Sequence, residues 1–397
     1  MTASFDPTSA ETVSDPYPAF AAMRESAPVW WHDGLGMYLT FRHADADAVL
    51  RDRRLGRIWK LRWPEESLPE FALLHVHSML ENEPPVHTRL RRLVAGAFGR
   101  GHVERLRDRI ATVAGQLADD VLDAGSDGSV VDLLPLYAEP LPVAVIAELL
   151  GVPESDRGLL RPWSNAIVKM YEYGVTPAQR AEAERAAGEY VAYVRGLLVH
   201  RRLFPGDDLL SELVAVRDAD GSRLTEDELV ATAVLLQMAG HEASVNVVGN
   251  GVLALLRWPG ELARLRSDRT VVPTAVEELI RYDSPLQLFE RTAVSDVTIG
   301  GVTVSTGQKI AALLGAANRD PAVFPEPDRL DVGRGDNPHL GFGAGIHYCL
   351  GAPLARVELQ VSLTTMLDRF PGVALAGEPV RRPEFVIRGL SHLPVTT

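Results

Sequence analysis

The chain has 397 residues, and an apolar fraction of 46% is sufficient for a substantial hydrophobic core. Its net charge of −13 argues against nucleic acid as a partner, because the phosphate backbone binds basic surfaces. A single cysteine excludes an internal disulfide, and the polar N-terminus, residues 1–18, has no apolar signal core, so we expect a cytoplasmic protein. No linker or repeat divides the sequence, which predicts a single domain over residues 1–397.

Periodic apolar residues predict helices over most of the chain, whereas the strand patterns are short. Two of the strands flank Gly300-Gly301 and predict a hairpin. Because strands and helices do not alternate regularly, we expect a mainly α fold (α+β) with small peripheral sheets, and not a doubly wound sheet. In chain order the predicted elements are a strand at 36–40, helices at 87–99, 102–123, 140–150, 177–203, 225–257 and 273–281, strands at 297–299, 302–304 and 309–313, and a helix at 352–369.

The helix predicted at 225–257 is the longest and among the most apolar. Thr225 and Glu228 form a capping box at its start, and its length at the usual rise per residue is about 48 Å. Polar side chains such as His241 and Glu242 near its middle are costly in a bilayer, which disfavours a membrane span. We therefore expect this helix to cross the protein interior, with its polar residues facing a cavity.

The only cysteine, Cys349, lies in a glycine-rich segment. Gly343 and Gly345 permit tight turns that aim the cysteine, and a helix predicted just after it favours a negatively charged sulfur through its dipole. One thiolate is a poor zinc site but can be the single protein ligand of a haem iron. A buried structural cysteine and a nucleophile activated by His347 are the alternatives.

This segment resembles the haem-binding signature of the cytochrome P450 family. The pattern of phenylalanine, two residues, glycine, three residues, cysteine, one residue and glycine is met at Phe342, Gly345, Cys349 and Gly351. The resemblance covers nearly the whole chain, with five motifs in the family's order. It implies the cytochrome P450 fold, haem b (iron protoporphyrin IX) under the long central helix, and Cys349 as the axial metal ligand. Phe342, Gly343 and Gly351 belong to the implied haem-binding loop.

The resemblance also implies cationic partners for the two haem carboxylates. His87 and Arg91 lie four residues apart, hence on one helical face. Arg291 matches the arginine that follows the family's glutamate–arginine helix. His347, two residues before the cysteine, matches the fourth partner.

The family's glutamate–arginine pair is met at Glu278 and Arg281, three residues apart on a predicted helix. The resemblance implies that both join Arg329 in one buried network. Since an unpaired buried charge is costly, we expect this network to support folding and haem incorporation, and not the chemistry.

The segment Ala239–Ser244 in the long helix matches the family's oxygen-binding groove. The resemblance implies that Gly240 leaves space for dioxygen and that Glu242 delivers protons. Most family members have threonine where this chain has Ala243, whose methyl group cannot donate a hydrogen bond. Ser244 lies about 100° further round the helix. Two relays therefore remain possible, one through ordered water with a substrate hydroxyl and one through Ser244 itself.

Large apolar side chains in the family's variable loop and in three other regions predict a site for a bulky hydrophobic molecule. The predicted substrate region comprises Trp59, Trp63, Met79, Met170, Tyr171, Leu236, Ala239, Leu288, Phe289, Ile387 and Leu390. A basic cluster would steer an acidic electron carrier, and we expect electrons from a separate ferredoxin and ferredoxin reductase. That cluster comprises Arg89, Arg91, Arg92 and Arg100.

These features predict a haem-thiolate monooxygenase, expected as a monomer, that inserts one atom of O2 by hydroxylation or epoxidation. Some actinobacterial macrolide oxidases share the alanine at Ala243, and this resemblance suggests similar help from the substrate in the relay. The expected biology is the tailoring of a macrolide or other polyketide in antibiotic or other secondary-metabolite biosynthesis. Two alternatives stay open. The same chemistry can serve oxidative coupling or dehydrogenation without oxygen insertion, and a haem protein can also sense or carry a ligand.

Overall fold

The structure is a computed structural model that describes residues 4–60, 62, 63, 66–216 and 223–397. The chain forms two compact units, each built from discontinuous segments. The first comprises residues 1–56, 106–141 and 243–397, and the second comprises residues 57–105 and 142–242. The single domain predicted over the whole chain stays a prediction.

Helices make up most of both units, which confirms the mainly α class. The helices predicted at 140–150, 177–203 and 352–369 have those bounds in the structure. In chain order the α-helices are α1 (Ala10–Ser14), α2 (Tyr17–Ser26), α3 (His43–Arg51), α4 (Pro69–Val76), α5 (Val86–Val94), α6 (Arg100–Arg105), α7 (Arg107–Ala124), α8 (Pro140–Leu150), α9 (Arg157–Val168), α10 (Pro177–Leu203), α11 (Leu209–Ala215), α12 (Glu226–Arg257), α13 (Pro259–Ser267), α14 (Val272–Tyr282), α15 (Leu314–Ala317) and α16 (Ala352–Arg369).

The strands of the described chain lie in the first unit and form small sheets. In chain order they are β1 (Val29–His32), β2 (Met37–Thr40), β3 (Leu55–Gly56), β4 (Val131–Asp132), β5 (Leu288–Ala293), β6 (Val297–Ile299), β7 (Val302–Val304), β8 (Lys309–Leu313), β9 (Ala374–Leu375), β10 (Val380–Arg381), β11 (Leu390–His392) and β12 (Pro394–Thr396). The largest sheet has the order β1-β2-β8-β5-β3, with β2 and β8 parallel. β6 and β7 form the predicted hairpin, and Gly300 and Gly301 between them have positive φ angles of 55° and 84°.

The hydrophobic core of the first unit anchors the segment that leads to the cysteine. Val49 and Leu50 of α3 belong to one buried cluster with Ile310 of β8. Leu340 and Ala344, just before the cysteine loop, are part of the same cluster. Burial of a large apolar side chain contributes about 1.5–3 kcal/mol, so this cluster holds both ends of the approach to the loop.

α12 begins as the sequence predicts. The backbone N–H of Thr225 donates to Oε2 of Glu228 at 2.9 Å, and the backbone N–H of Glu228 donates to Oγ1 of Thr225 at 3.2 Å. The helix continues without a break to Arg257. Within the described part of the chain, no helix is both long and apolar enough to cross a bilayer.

One narrow face of α12 is open, and the rest of the helix is buried. The open positions recur mainly at intervals of four residues, which places them on a single stripe of the helix. Three of the four have no side chain larger than a methyl group. Between residues 228 and 255, the positions that are not buried are Leu235, Ala239, Gly240 and Ala243.

Candidate active site

Cys349 lies at the end of a tight loop in the first unit, and its side chain is partly exposed. The loop is closed by the backbone N–H of Cys349, which donates to the carbonyl oxygen of Phe342 at 2.9 Å. Gly343 and Gly345 have φ angles of +70° and +69°. A Cβ atom at Gly345 would lie 2.5 Å from the carbonyl oxygen of Leu50. Glycine is therefore required at position 345 by its conformation and by a close backbone neighbour.

A helix follows the cysteine directly, as predicted. α16 begins at Ala352, with Gly351 as its N-cap and Pro353 in its first turn. The positive end of the helix dipole therefore lies next to Cys349, where it favours the thiolate. A Cβ atom at Gly351 would meet nothing within 4 Å, so the loop has open space beside it.

Phe342 is held in place by a charged cluster. The guanidinium of Arg356 lies 4.5 Å from the centre of the Phe342 ring. Both Arg356 and the ring of His339 bond to the carboxylate of Glu277, at 2.7–3.0 Å. Burial alone would raise the pKa of Glu277, but these two partners outweigh it and lower that pKa to about 2. The shielding of the sulfur by Phe342 stays a prediction.

The four predicted carboxylate partners are divided between the two units. In the first unit, Arg291 on β5 is 3% exposed and its Nη1 donates to the carbonyl oxygen of Glu290 at 3.0 Å, while His347 is partly buried. In the second unit, His87 is 3% exposed and shares one face of α5 with Arg91. Arg291 is thus a buried cation, which requires compensating negative charge. Binding of two carboxylates by the four residues together stays a prediction.

The second-unit part of α12 carries Gly240 and Glu242. A Cβ atom at Gly240 would lie 2.6 Å from Cγ1 of Ile146 on α8, so glycine permits the close approach of these two helices. The predicted space for dioxygen at this residue stays a prediction. Glu242 is 7% exposed, and its Oε1 lies 3.4 Å from Nε2 of the adjacent His241.

The first-unit part of α12 carries Ala243 and Ser244. Ala243 is partly exposed, whereas Ser244 is buried and its hydroxyl bonds to Glu358 of α16. Burial raises the pKa of Glu358 to about 8, although the hydrogen bond from Ser244 opposes that shift. This carboxyl group therefore carries a proton at neutral pH.

Glu358 is not among the residues predicted from the sequence, although a signal for it exists. It shares the apolar face of α16 with Leu354 and Val361, at helical spacing. A glutamate is almost never fully buried unless it has a partner, so its place on this face predicts a partner for it. The sequence does not show that α12 packs against this face of α16 and places Ser244 next to Glu358.

The buried ion network contains two of its three predicted members. Glu278 and Arg281 are fully buried, and Nε and Nη2 of Arg281 donate to the two carboxylate oxygens at 2.7 and 2.8 Å. The prediction of Arg329 is wrong, because its exposed guanidinium pairs with Glu326 and only its backbone carbonyl accepts from Arg281. The third member of the network is Arg334, whose Nε donates to Oε2 of Glu278 at 3.0 Å. Its buried guanidinium also binds nearby carbonyl oxygens, which compensates its desolvation.

In the second unit, Trp59 and Tyr171 meet at His75, which is not among the predicted residues. The Trp59 and His75 rings stack with centroids 4.3 Å apart. Nδ1 of His75 lies 2.7 Å from the carbonyl oxygen of Phe71, so Nδ1 carries the hydrogen and Nε2 accepts from the Tyr171 hydroxyl at 3.0 Å. Burial lowers the pKa of His75, which keeps this ring neutral. The two predicted substrate residues thus form part of a closed aromatic cluster.

The other predicted substrate residues have varied surroundings. Trp63 packs against the guanidinium of Arg180, 5.0 Å from the ring centre. Positions 61, 64 and 65 of the same loop lie outside the described residues. Their contacts with a substrate stay predictions. Of the rest, Met79, Met170, Leu236, Leu288, Ile387 and Leu390 are buried, Phe289 is partly buried and Ala239 is exposed.

One arginine of the predicted basic cluster forms an ion pair within the protein. Arg89 forms an ion pair with Glu228 near the start of α12, which neutralises one of its charges. Arg92 is exposed, and the side chain of Arg100 lies outside the described part of the structure. Attraction of an electron carrier by this cluster stays a prediction.

Comparison with known proteins identifies the family. The cytochrome P450 family model matches residues 200–385. The cytochrome P450 monooxygenase PikC of Streptomyces venezuelae is 42% identical, over 96% of this chain and 91% of the relative. The 6-deoxyerythronolide B hydroxylase of Saccharopolyspora erythraea is 40% identical, over 96% of each chain.

The chain belongs to the cytochrome P450 family. Solved P450 structures agree with this. P450BioI in complex with an acyl carrier protein ligated to hexadec-9Z-enoic acid has a TM-score of 0.92 and 35% identity, over 98% of this chain and 100% of that chain. The bacillaene synthase P450 PksS of Bacillus subtilis has a TM-score of 0.89 and 36% identity, over 99% of each chain. The predicted P450 fold is confirmed.

Membership also confirms the cofactor and the class of reaction. A P450 binds haem and is an oxidoreductase that incorporates oxygen from O2. Its substrates are hydrophobic small molecules, and a redox partner supplies the electrons. The residues of this P450 fit the cofactor, because a partly exposed thiol beside a helix N-terminus suits iron, and buried cationic groups suit the haem carboxylates.

Proposed function

We propose that this P450 inserts one oxygen atom of O2 into a bulky apolar substrate of the macrolide or other polyketide type, by hydroxylation or epoxidation. The observation that carries the proposal is the open face of α12. Ala239 and Ala243 are small and accessible there, so the side chains of this face take up little of the space that a large molecule needs. The relative named as a 6-deoxyerythronolide B hydroxylase, at 40% identity, supports this substrate class.

Within the proposal, each unit contributes residues that hold the cofactor. Cys349 is the iron ligand, and the α16 dipole keeps its sulfur ionised. Arg291 and His347 from the first unit, with His87 and Arg91 from the second, bind the two carboxylates. When bound, the haem supplies the oxidising chemistry with dioxygen.

Insertion of one oxygen atom releases the other as water, which requires two protons and two electrons. Ala243 has no hydroxyl to pass a proton. We infer that Ser244 and Glu358 replace it, because Glu358 holds a proton at neutral pH and bonds to the Ser244 hydroxyl. In this relay the Ser244 hydroxyl, which donates to Glu358 at rest, turns so that its Oγ accepts the Glu358 proton as it gives up its own. Glu242 is a second proton donor in the proposal.

The remaining parts of the proposal concern partners and location. Electrons come from a ferredoxin and its reductase, and the enzyme acts as a monomer in the biosynthesis of a secondary metabolite such as an antibiotic. A cytoplasmic location is proposed, since one cysteine in 397 residues is typical of proteins from a reducing compartment.

The decisive experiment uses the haem-loaded enzyme with ferredoxin, reductase and a panel of macrolides and other polyketides under isotopically labelled dioxygen. We expect a product that carries one labelled oxygen atom. A product without the label would indicate coupling or dehydrogenation instead. Failure to consume dioxygen with any substrate that shifts the haem spin state would indicate a sensor or carrier.

A carrier-bound acyl chain is a second candidate for the form of the substrate. It is favoured by the similarity to P450BioI, whose structure contains an acyl carrier protein and superposes over 98% of this chain. Spin-state titrations with the same acyl group, free and attached to its carrier protein, separate the two forms. Tighter binding of the carrier-bound form by tenfold or more would favour this candidate, and equal binding would exclude it.

A further inference from the structure

A buried imidazole lies directly beside Glu242 in the second unit. Nε2 of His241 is 3.4 Å from Oε1 of Glu242, and the two residues are 1% and 7% exposed. In a site with so little water, a charge on either group interacts strongly with the other. The two side chains therefore interact directly inside the protein.

The tautomer of His241 is set by the helix itself. Nδ1 of His241 lies 2.9 Å from the carbonyl oxygen of Gln237, one turn earlier. A carbonyl oxygen only accepts, so Nδ1 carries a hydrogen and Nε2 is the nitrogen that exchanges a proton with the acid. The contact of 3.4 Å is longer than a hydrogen bond, and contacts of this kind tighten when the reactive complex forms.

The surroundings of His241 are polar and buried. Oε1 of Gln237 accepts from the hydroxyls of Ser164 and Tyr190, at 3.0 and 2.5 Å. Nε2 of Gln237 and Nε2 of His241 make no hydrogen bond to any residue that the structure describes. By contrast, both ring nitrogens of His75 are hydrogen-bonded within the fold. The fold satisfies His75 completely but leaves the acid-facing nitrogen of His241 available.

We propose that His241 is a positioning residue that orients the carboxyl group of Glu242 and returns its proton after each transfer. The inference rests on the proposed role of Glu242 as a proton donor. Once Glu242 has lost its proton, the Nε2–H bond of the imidazolium breaks as the Oε1–H bond forms. The neutral ring then takes up a proton from solvent at Nε2, which restores both groups.

The first test is spectroscopic and independent of turnover. Protein labelled with nitrogen-15 in its histidines is loaded with haem, reduced and bound to carbon monoxide. We expect the Glu242→Gln change to move the Nε2 resonance of His241, which is assigned by its loss in His241→Phe. The resonances of His75 are the internal control and should stay in place. An unmoved His241 resonance would overturn the proposal.

The second test measures product formed per dioxygen consumed. We expect Glu242→Gln and His241→Phe each to lower this ratio by at least about tenfold, and the double variant to be no worse than the poorer single variant. His241→Gln keeps a hydrogen-bonding group without a titratable proton, so it should stay low. If the fold-losses of the two single variants multiply in the double variant, the two residues act independently and the proposal is wrong.

The two tests separate failure of this inference from failure of the proposed function. If Glu242→Gln lowers the ratio and His241→Phe does not, the role of His241 is wrong and that of Glu242 stands. If Glu242→Gln leaves the ratio unchanged, the proposed function of Glu242 fails, and the return of its proton by His241 fails with it.

Discussion

Replacing Glu358 by glutamine removes a carboxyl group that the fold keeps protonated, so it should change how stability depends on pH. The folded pKa of Glu358 is about 8, above the ordinary value of 4.5. Its stabilising proton is fully bound in the folded state below pH 4.5, where both states are protonated. As the pH rises from there toward 8, the unfolded chain ionises freely and the folded chain does not, so the wild-type protein loses stability.

The size of the effect follows from the two pKa values. They differ by about 3.5, and each pH unit corresponds to about 1.4 kcal/mol. The wild-type protein therefore loses up to about 5 kcal/mol of unfolding free energy between pH 4.5 and 8 through this group. This is an upper limit, because relaxation around an ionised carboxylate reduces its cost. Glutamine has no proton to lose, so the variant lacks this loss.

The assay is urea unfolding of both haem-loaded proteins, followed by circular dichroism at several pH values between 5 and 9. We expect the unfolding free energy of the variant, relative to that of the wild-type protein, to increase with rising pH. This difference should level off above pH 8. The same change at the exposed Glu212 of α11 is the matched control, since water hydrates that carboxyl group in the folded state. A difference between wild type and Glu358→Gln that does not vary with pH would refute the reasoning.

Three further predictions address the loop, the network and the open helix face. Gly345→Ala places a Cβ atom against a backbone oxygen at positive φ and costs at least about 1–2 kcal/mol, so we expect reduced haem content by absorbance per protein. Arg334→Ala removes one charge-assisted hydrogen bond to Glu278, which Arg281 still pairs, and should cost about 1.5–3 kcal/mol in urea unfolding. Arg329→Ala should change stability by less than about 1 kcal/mol, and equal effects would contradict the revised network. Ala243→Thr should leave the product per dioxygen within about twofold if another relay already supplies protons, and a large gain would indicate a missing hydroxyl.

Local signals predict the helices that carry their own start and stop residues. α10 begins with a capping box formed by Thr176 and Gln179, followed by Pro177. α16 has Pro353 in its first turn. In both cases the residues that signal the start lie within the first turn of the helix, so the start can be derived without knowledge of the rest of the fold.

Features that depend on distant partners could not be predicted. β5 pairs with β8 in a register that starts at Leu288 and Leu313, and only the sheet decides which face of β5 is buried. Arg329 and Arg334 lie five residues apart in an irregular segment, and the path of the backbone decides which one reaches Glu278. The sequence supplies the charges but not the direction in which each side chain points.

The two halves of α12 divide its tasks by helical geometry. Ala243 lies on the open stripe of the helix. Because each residue is rotated by about 100° from the one before it, its two neighbours point away from this stripe. Ser244 is buried in contact with Glu358, and Glu242 is buried in contact with His241. The groups to which we assign proton transfer thus lie at positions next to the open face, which itself carries only small or apolar side chains. A hydroxyl at position 243 would occupy part of the space that a bulky substrate needs. Under the proposed function, Ala243 provides space for the substrate, and the neighbouring positions carry the groups that transfer protons.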